Sequence, residues 1–285
     1  MSIPLVRTPP SSETRSPEQL WEQYVLEKEL AAILLNAPKA ERGRLYSWAY
    51  EELFRRIPHH PQLRHKASPE EQVRRVEQQM RFLSSWLQPQ TVFLEIGAGD
   101  CALSFAVAEK VAHVYAIDVS ESITSAVTRP GNFTLMLSDG TSIPTPQGQV
   151  TLAYSNQLME HLHPEDALQQ LTNIYHALAP GGVYVCVTPN RLSGPCDISA
   201  YFDNVATGFH LKEYTATELI AIFRAADFRT VRQWLRRPGG YIAVPNLFSI
   251  ATERALERVH PTMRRRLLTS RALRALRHVR LVATK

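Results

Sequence analysis

With 285 residues, 44% of them hydrophobic, the chain is long enough for one large domain with an appendage or for two modest domains, and it carries the apolar content of a substantial core. No run of about 18 apolar residues occurs, which excludes a membrane-spanning helix, and residues 1–18 are polar and proline-bearing rather than signal-like, so a cytoplasmic protein is expected. The formal charge of +5 is mild, but from Arg229 onward 14 Lys and Arg face only Glu253 and Glu257, so the C-terminal part is locally basic.

In chain order, residues 1 to about 15 read as disordered. Ser16-Pro17-Glu18-Gln19 then supplies an N-cap, a proline at the first helical position and a glutamine three residues after the cap. The helix it starts runs to about Leu35, with Leu20, Tyr24, Leu30 and Leu34 at helical spacing. A second helix, about 40–56, sets Leu45, Ala49 and Leu53 on one stripe and Tyr46, Tyr50 and Phe54 on the next. The plainer reading packs both stripes in a helical subdomain; a substrate-facing aromatic wall is the alternative. His59 and His60 are adjacent and point apart, and Cys101, Cys186 and Cys196 have no ligand spacing. No metal is expected, nor a disulfide framework, and Cys101 and Cys186 read as core packing. Ser68-Pro69-Glu70-Glu71 repeats the capping pattern, and Val73, Val76, Met80, Leu83 and Leu87 mark a helix that lies against the sheet.

From Thr91 strands and helices alternate, the pattern of a parallel sheet covered on both faces. Strands are expected at about 91–96, 112–117, 132–137, 150–154, 183–187, 228–235 and 278–284. A helix over about 164–178 buries Leu168, Leu171, Ile174 and Leu178, and another, capped by Thr215-Ala216-Thr217-Glu218, carries Leu219, Ile222 and Phe223. The irregular segment 188–214 has the length of a lid or binding loop. A basic insertion at about 241–276 holds two helices, about 245–259 and 261–276, with Leu267, Ala272 or Leu273, and Leu276 facing inward and the arginines solvated. The division expected is a disordered arm and helical cap at 1–66 and a ligand-binding domain at 67–285.

The stretch Glu95-Ile96-Gly97-Ala98-Gly99-Asp100-Cys101-Ala102 joins the first strand to a helix through glycines, which keep the turn's backbone amides open to a ligand. It also fits the dinucleotide fingerprint, with Asp118 about twenty residues on as a ribose-binding acid. The Asp100 carboxylate would repel a pyrophosphate but tolerates a sulfonium cation, and Asp139-Gly140 offers an acceptor for an adenine amine, or is an ordinary turn. Both points favour S-adenosylmethionine over NAD.

The chain thereby resembles the class I S-adenosylmethionine (SAM)-dependent methyltransferases, of small-molecule type. Glu95 to Gly99 matches their first motif and Asp118 their ribose-binding acid. Ser138-Asp139-Gly140-Thr141 resembles the adenine segment, Ser155-Asn156-Gln157-Leu158-Met159-Glu160-His161-Leu162 the segment after strand four, and Leu178 to Gly182 the turn before strand five. The resemblance covers about residues 82–235 and the final strand. It implies an α/β, Rossmann-like seven-stranded sheet whose last strand is antiparallel and inserted between strands five and six, to which the residue patterns add an N-terminal helical cap and a helical insertion before the last strand. It also implies cofactor-binding roles for Glu95, Gly97, Ala98, Gly99, Asp118, Val119, Asp139, Gly140, Thr141, Ser155 and Asn156, with S-adenosylhomocysteine (SAH) as product.

Methyl transfer from a sulfonium needs mainly alignment and exclusion of water, with a base only where the acceptor keeps its proton. His161, which the resemblance puts near the transferred methyl, Glu160 and His210 are the catalytic candidates, with His163 and Tyr214 behind them. The alternative is that Glu160 and His161 cap or pair at the next helix start. The Ser-Asn-Gln-Leu segment lacks the residues of base-methylating enzymes, so nucleic acid is disfavoured. Thr188-Pro189-Asn190-Arg191 is similar to enzymes acting on small-molecule hydroxyls. The expected partner is a small-molecule acceptor, with Arg191 either binding an acidic one or solvated, and with weak contact of the basic insertion to an anionic surface. The competing functions are SAM or SAH binding without turnover and an NAD-linked oxidoreductase.

Overall fold

The computed structural model describes residues 3–11, 13–61, 63, 69–119 and 129–285. Helices α1 (Pro17–Asn36) and α2 (Lys39–Arg56) form where the capping and stripe patterns place them, and the Ser16–Gln19 capping box is closed in both directions. Helix α3 spans Pro69–Leu83; its expected cap, Ser68, and the expected boundary near residue 66 lie outside the described residues. Strand β1 (Val92–Ile96), helix α4 (Ala102–Ala108), β2 (His113–Asp118), β3 (Phe133–Leu137), β4 (Val150–Asn156), α5 (Pro164–Ala177), β5 (Leu178–Pro189) and α6 (Ala216–Ala225) follow. The chain continues through β6 (Thr230–Arg237), β7 (Gly240–Val244), α7 (Asn246–Glu257) and α8 (Pro261–Thr269) to β8 (His278–Thr284).

The sheet has eight strands in the order β3-β2-β1-β4-β5-β8-β6-β7. Strands β1 to β5 are parallel, and β8 runs antiparallel between β5 and β6, as the resemblance implies. The strand missing from the expected seven is β7, which pairs with β6 up to Arg237 and Gly240, ahead of the two helices read in the insertion, the second of which ends at Thr269 and not near 276. Pro238-Gly239-Gly240 is a turn signal, and Gly239 adopts φ +83°, which favours glycine.

Strand alternation divides the core between two faces. Leu94, Ala153, Tyr184 and Cys186 pack in one cluster with Leu26, Leu30 and Leu34 of α1, Ala49 and Leu53 of α2, and Leu171 and Ile174 of α5. Phe93, Leu152, Tyr154 and Val185 pack on the other face with Leu83 of α3, Leu103 and Val107 of α4 and, at partial burial, Val76 and Met80. Leu168 is 41% exposed, against expectation, because the inner face of α5 is completed instead by Asp166 and Gln170.

The described residues of the N-terminal arm, read as disordered from their polarity, make contacts with the segment after β5. The amides of Val6 and Arg7 donate to the Tyr201 carbonyl at 2.8 and 3.2 Å, Arg7 also reaches the Ala200 carbonyl, and Ile3 joins a cluster of Leu20, Tyr24, Ile198 and Phe202. The arm thus straps the irregular segment 190–214 to α1. In the insertion Leu268 and Leu276 pack against Leu192 and Leu256, while Leu267 is 37% exposed, one position off the expected inward face. Among the described helices none is long and apolar enough to cross a membrane.

Candidate active site

A cavity of about 370 Å³ opens at the C-terminal ends of β1, β2, β3 and β4, where the strand order reverses beside β1. Such a crevice is where open α/β sheets bind ligands, and the volume falls in the range of small-molecule sites, about 300–1,000 Å³.

One end is the glycine turn. Gly97 and Gly99 take φ +73° and +53°, and Cys101 is left-handed at φ 56° before α4. A Cβ on Gly97 would meet Leu158 Cδ1 at 3.2 Å, so glycine also permits the close approach of the β4 segment. The turn's amides are not open as expected. Those of Gly97 and Ala98 donate to the Ile117 carbonyl at 2.8 and 3.1 Å, and that of Gly99 to Asp118 Oδ2 at 2.8 Å. The amides of Cys101 and Ala102 bond to the Ala98 carbonyl and to Asp100 Oδ1. This turn therefore offers a pyrophosphate few donors. The like-charge argument from Asp100 loses force, since its carboxylate pairs with Arg75 at 2.7 Å and accepts from Gln72 at 3.0 Å.

Glu95, Gly97, Ala98, Gly99, Asp118, Val119, Gly140, Asn156 and His161 line the cavity; Asp139, Thr141, Ser155, Glu160 and His210 do not. Asp139 Oδ1 accepts from the amides of Thr141 and Ser142 at 2.9 and 2.7 Å, so its carboxylate organises its own loop. Ser155 is buried against the Tyr184 hydroxyl at 2.7 Å. Glu95 is buried, accepts from Ser104 Oγ at 2.6 Å, and is pushed up to about 8 by burial.

The cavity also takes residues that the sequence reading set aside or missed. Tyr46, Tyr50 and Phe54 of α2 form a wall, reversing the preference for a purely internal packing role. A Cβ on Gly140, at φ +89°, would lie 2.7 Å from the Tyr46 ring, so that wall rests directly on the β3 turn. Arg75 and Gln79, one helical turn apart on α3, line it too. Gln170 of α5, which no sequence signal separates from an ordinary core-flanking glutamine, donates Nε2 to the Gly140 carbonyl at 2.6 Å. Gln170 lines the cavity, and its Oε1 is buried without a partner.

At the other end the segment after β4 meets the irregular segment. Glu160 is fully buried and accepts from Thr188 Oγ1 at 2.8 Å through Oε2, while Oε1 has no partner. Burial pushes its carboxyl up to about 7. His161 Nδ1 donates to the Phe209 carbonyl at 2.9 Å, and burial, with His210 beside it, lowers this imidazole to about 3. His210 Nδ1 lies 2.8 Å from Glu213 Oε1, and its ring stands edge-on to His161 with centroids 4.9 Å apart. Burial alone would lower His210, but Glu213, Glu160 and Asp197 outweigh it and raise it to about 9. The helix-capping alternative falls to His163, whose Nδ1 accepts from the Glu165 amide at the start of α5. Tyr214 is buried outside the cavity, and Arg191 is tied to Glu218 and Glu257 at 3.1 and 3.3 Å.

Residues 93–182 match a family model described as a methyltransferase domain. The chain is 28% identical over 136 residues, 47% of its length, to a probable S-adenosylmethionine-dependent methyltransferase of Mycolicibacterium smegmatis; the match spans about half, 51%, of that curated relative. In fold it is similar to the Burkholderia thailandensis 1,6-didemethyltoxoflavin-N1-methyltransferase bound to 1,6-didemethyltoxoflavin and SAH, at TM-score 0.56 and 18% identity over 87% of this chain and 91% of that one. It is also similar to a SAM-dependent methyltransferase of Archaeoglobus fulgidus, at TM-score 0.51 and 18% identity over 74% and 94% of the two chains.

Proposed function

From the premise that this chain carries a class I SAM-dependent methyltransferase domain, we propose that it transfers a methyl group from SAM to a small-molecule acceptor, an oxygen nucleophile foremost. The observation that carries the reading is one cavity joining the glycine turn at one end to His161 at the other, under the aromatic wall of α2. Adenosine lies along Asp118, Gly140 and Gln170, the methionine end near Glu95 and the glycine turn, and the acceptor between Tyr50, Phe54 and His161. In-line attack of the acceptor on the methyl carbon breaks the sulfonium bond and leaves SAH, and the aromatic wall of α2 limits the access of water.

A coupled assay for SAH release with a panel of hydroxyl and amine acceptors tests this. Acceptor-dependent SAH formation is expected, with hydroxyl compounds the best. SAM and SAH binding without turnover on any of them would return the chain to a binding role. Amines belong in the panel because the toxoflavin enzyme is named for methylation at a nitrogen.

Two expectations follow from the donor end. We assign Gln170 to the adenine end because it lines the cavity beside Gly140, so Gln170→Leu weakens SAH binding by about two- to tenfold, the effect of one neutral hydrogen bond of roughly 0.5–1.5 kcal/mol. Calorimetry showing unchanged affinity would remove Gln170 from the adenine site. Glu95 is protonated in the free protein below about 8, and a sulfonium or ammonium beside it favours its ionised form. SAM binding therefore expels a proton and tightens as pH rises toward that value, then levels off. Titrations from about pH 6 upward, in buffers of differing ionisation heat, read both the slope and the proton release.

A further inference from the structure

Glu160, His161 and His210 bring one oxygen and two nitrogens within 4.8 Å of one another. Each is engaged at one side-chain atom and leaves another over. Thr188 donates to Glu160 Oε2, and Oε1 is buried without a partner. The Phe209 carbonyl holds His161 by Nδ1, which leaves Nε2. Glu213 holds His210 by Nδ1, which again leaves Nε2. Carboxylate or carbonyl support of the distal imidazole nitrogen is how proteins orient histidines that bind metals. A second set, Asp197, His210 and Glu213, is equally close, but its carboxylates are already engaged: Asp197 accepts from the amides of Gly208 and His210 and Glu213 from the amide of Cys196.

We propose that Glu160, His161 and His210 bind one divalent transition-metal ion at the acceptor end of the cavity. Two imidazoles and one carboxylate suit zinc, manganese or iron better than magnesium or calcium. Ligation at about 2.1 Å brings tetrahedral donors to about 3.4 Å, so the three side chains draw inward on loading. His161, the member that lines the cavity, sets the ion against its wall, where an open coordination position meets the acceptor. The acceptor class is then a hydroxyl compound, which deepens the reading above and rests on it. The ion binds the hydroxyl oxygen and favours loss of its proton to water. That oxygen then takes the methyl group as the carbon–sulfur bond breaks, leaving the neutral thioether of SAH.

The test is metal uptake by the whole chain, without acceptor. Protein stripped with chelator is dialysed against zinc, manganese or magnesium salts and its metal content measured. The expected result is one zinc or manganese per chain, little magnesium, and a loss of at least about tenfold in affinity in both Glu160→Gln and His210→Asn. No stoichiometric uptake by the wild type, or wild-type uptake by Glu160→Gln, overturns the proposal. Should these variants not fold, the visible spectrum of cobalt-loaded wild type decides: intense bands of four- or five-coordinate cobalt support the site, and the weak spectrum of hydrated cobalt overturns it. SAH calorimetry on the same samples separates the two readings, since SAH binding without metal uptake rejects the ion alone.

Discussion

Asp118→Ala is expected to cost at least about a hundredfold in SAH affinity. The carboxylate accepts from the amides of Gly99 and Val119, both at 2.8 Å, so it holds the glycine turn in shape before any ligand arrives. Hydrogen bonds to a charged group contribute about 1.5–3 kcal/mol each, and every 1.4 kcal/mol is about tenfold. The substitution removes two such bonds in the turn together with the ribose contacts that the methyltransferase resemblance assigns to this acid. Calorimetry with SAH and the SAH-dependent rise in melting temperature both read the effect. An affinity within about threefold of wild type would place the ribose elsewhere.

Arg42→Ala has the largest expected effect on stability. On α2, Arg42 meets Asp166 of α5 through two hydrogen bonds of 2.8 Å, and both side chains are 3% exposed. Tyr46 donates to the same carboxylate at 2.8 Å and its oxygen accepts from the His163 amide, so this pair clasps the cavity wall to α5. Removing the cation leaves a buried carboxylate unpaired, a loss of about 3–5 kcal/mol. At about 2–4 °C per kcal/mol for a domain of this size, the melting temperature falls by roughly 6–20 °C. The double variant Arg42→Met/Asp166→Leu removes both charges and recovers most of that loss, because an apolar replacement leaves no charge to solvate. A double variant no more stable than Arg42→Ala would show that the clasp acts through Tyr46 and not through the ion pair.

Most helices and strands are legible locally. The Ser16 and Thr215 capping boxes close as their spacings indicate, and β8 spans the residues read for it, because caps and alternation depend on near neighbours along the chain. The sequence left alternatives open where a residue could satisfy itself in more than one way. Asp139 reads either as a ligand acceptor or as part of an ordinary turn, and its Oδ1 accepts from the amides of Thr141 and Ser142 in that turn. Asp100 looked like a bare charge until α3, 25 residues earlier, brought Arg75 beside it. The polar N-terminal arm reads as disordered along the sequence, and the Tyr201 carbonyl that accepts from its Val6 and Arg7 amides is a partner no local pattern shows.

The glycine-turn end of the cavity was legible in the sequence itself, since glycines after a buried strand permit a left-handed turn and Asp118 follows at the strand spacing that meets it. Only the tertiary structure decided the rest. Whether the tyrosine stripe of α2 faced a core or a cavity depended on Gly140, nearly a hundred residues away, leaving room for the Tyr46 ring. Whether Glu160 and His161 capped a helix or faced a partner depended on the segment that carries His210 back over β4. Backbone sterics act between neighbours and can be read along the chain, whereas the burial and pairing of a side chain are set by whatever the fold brings against it.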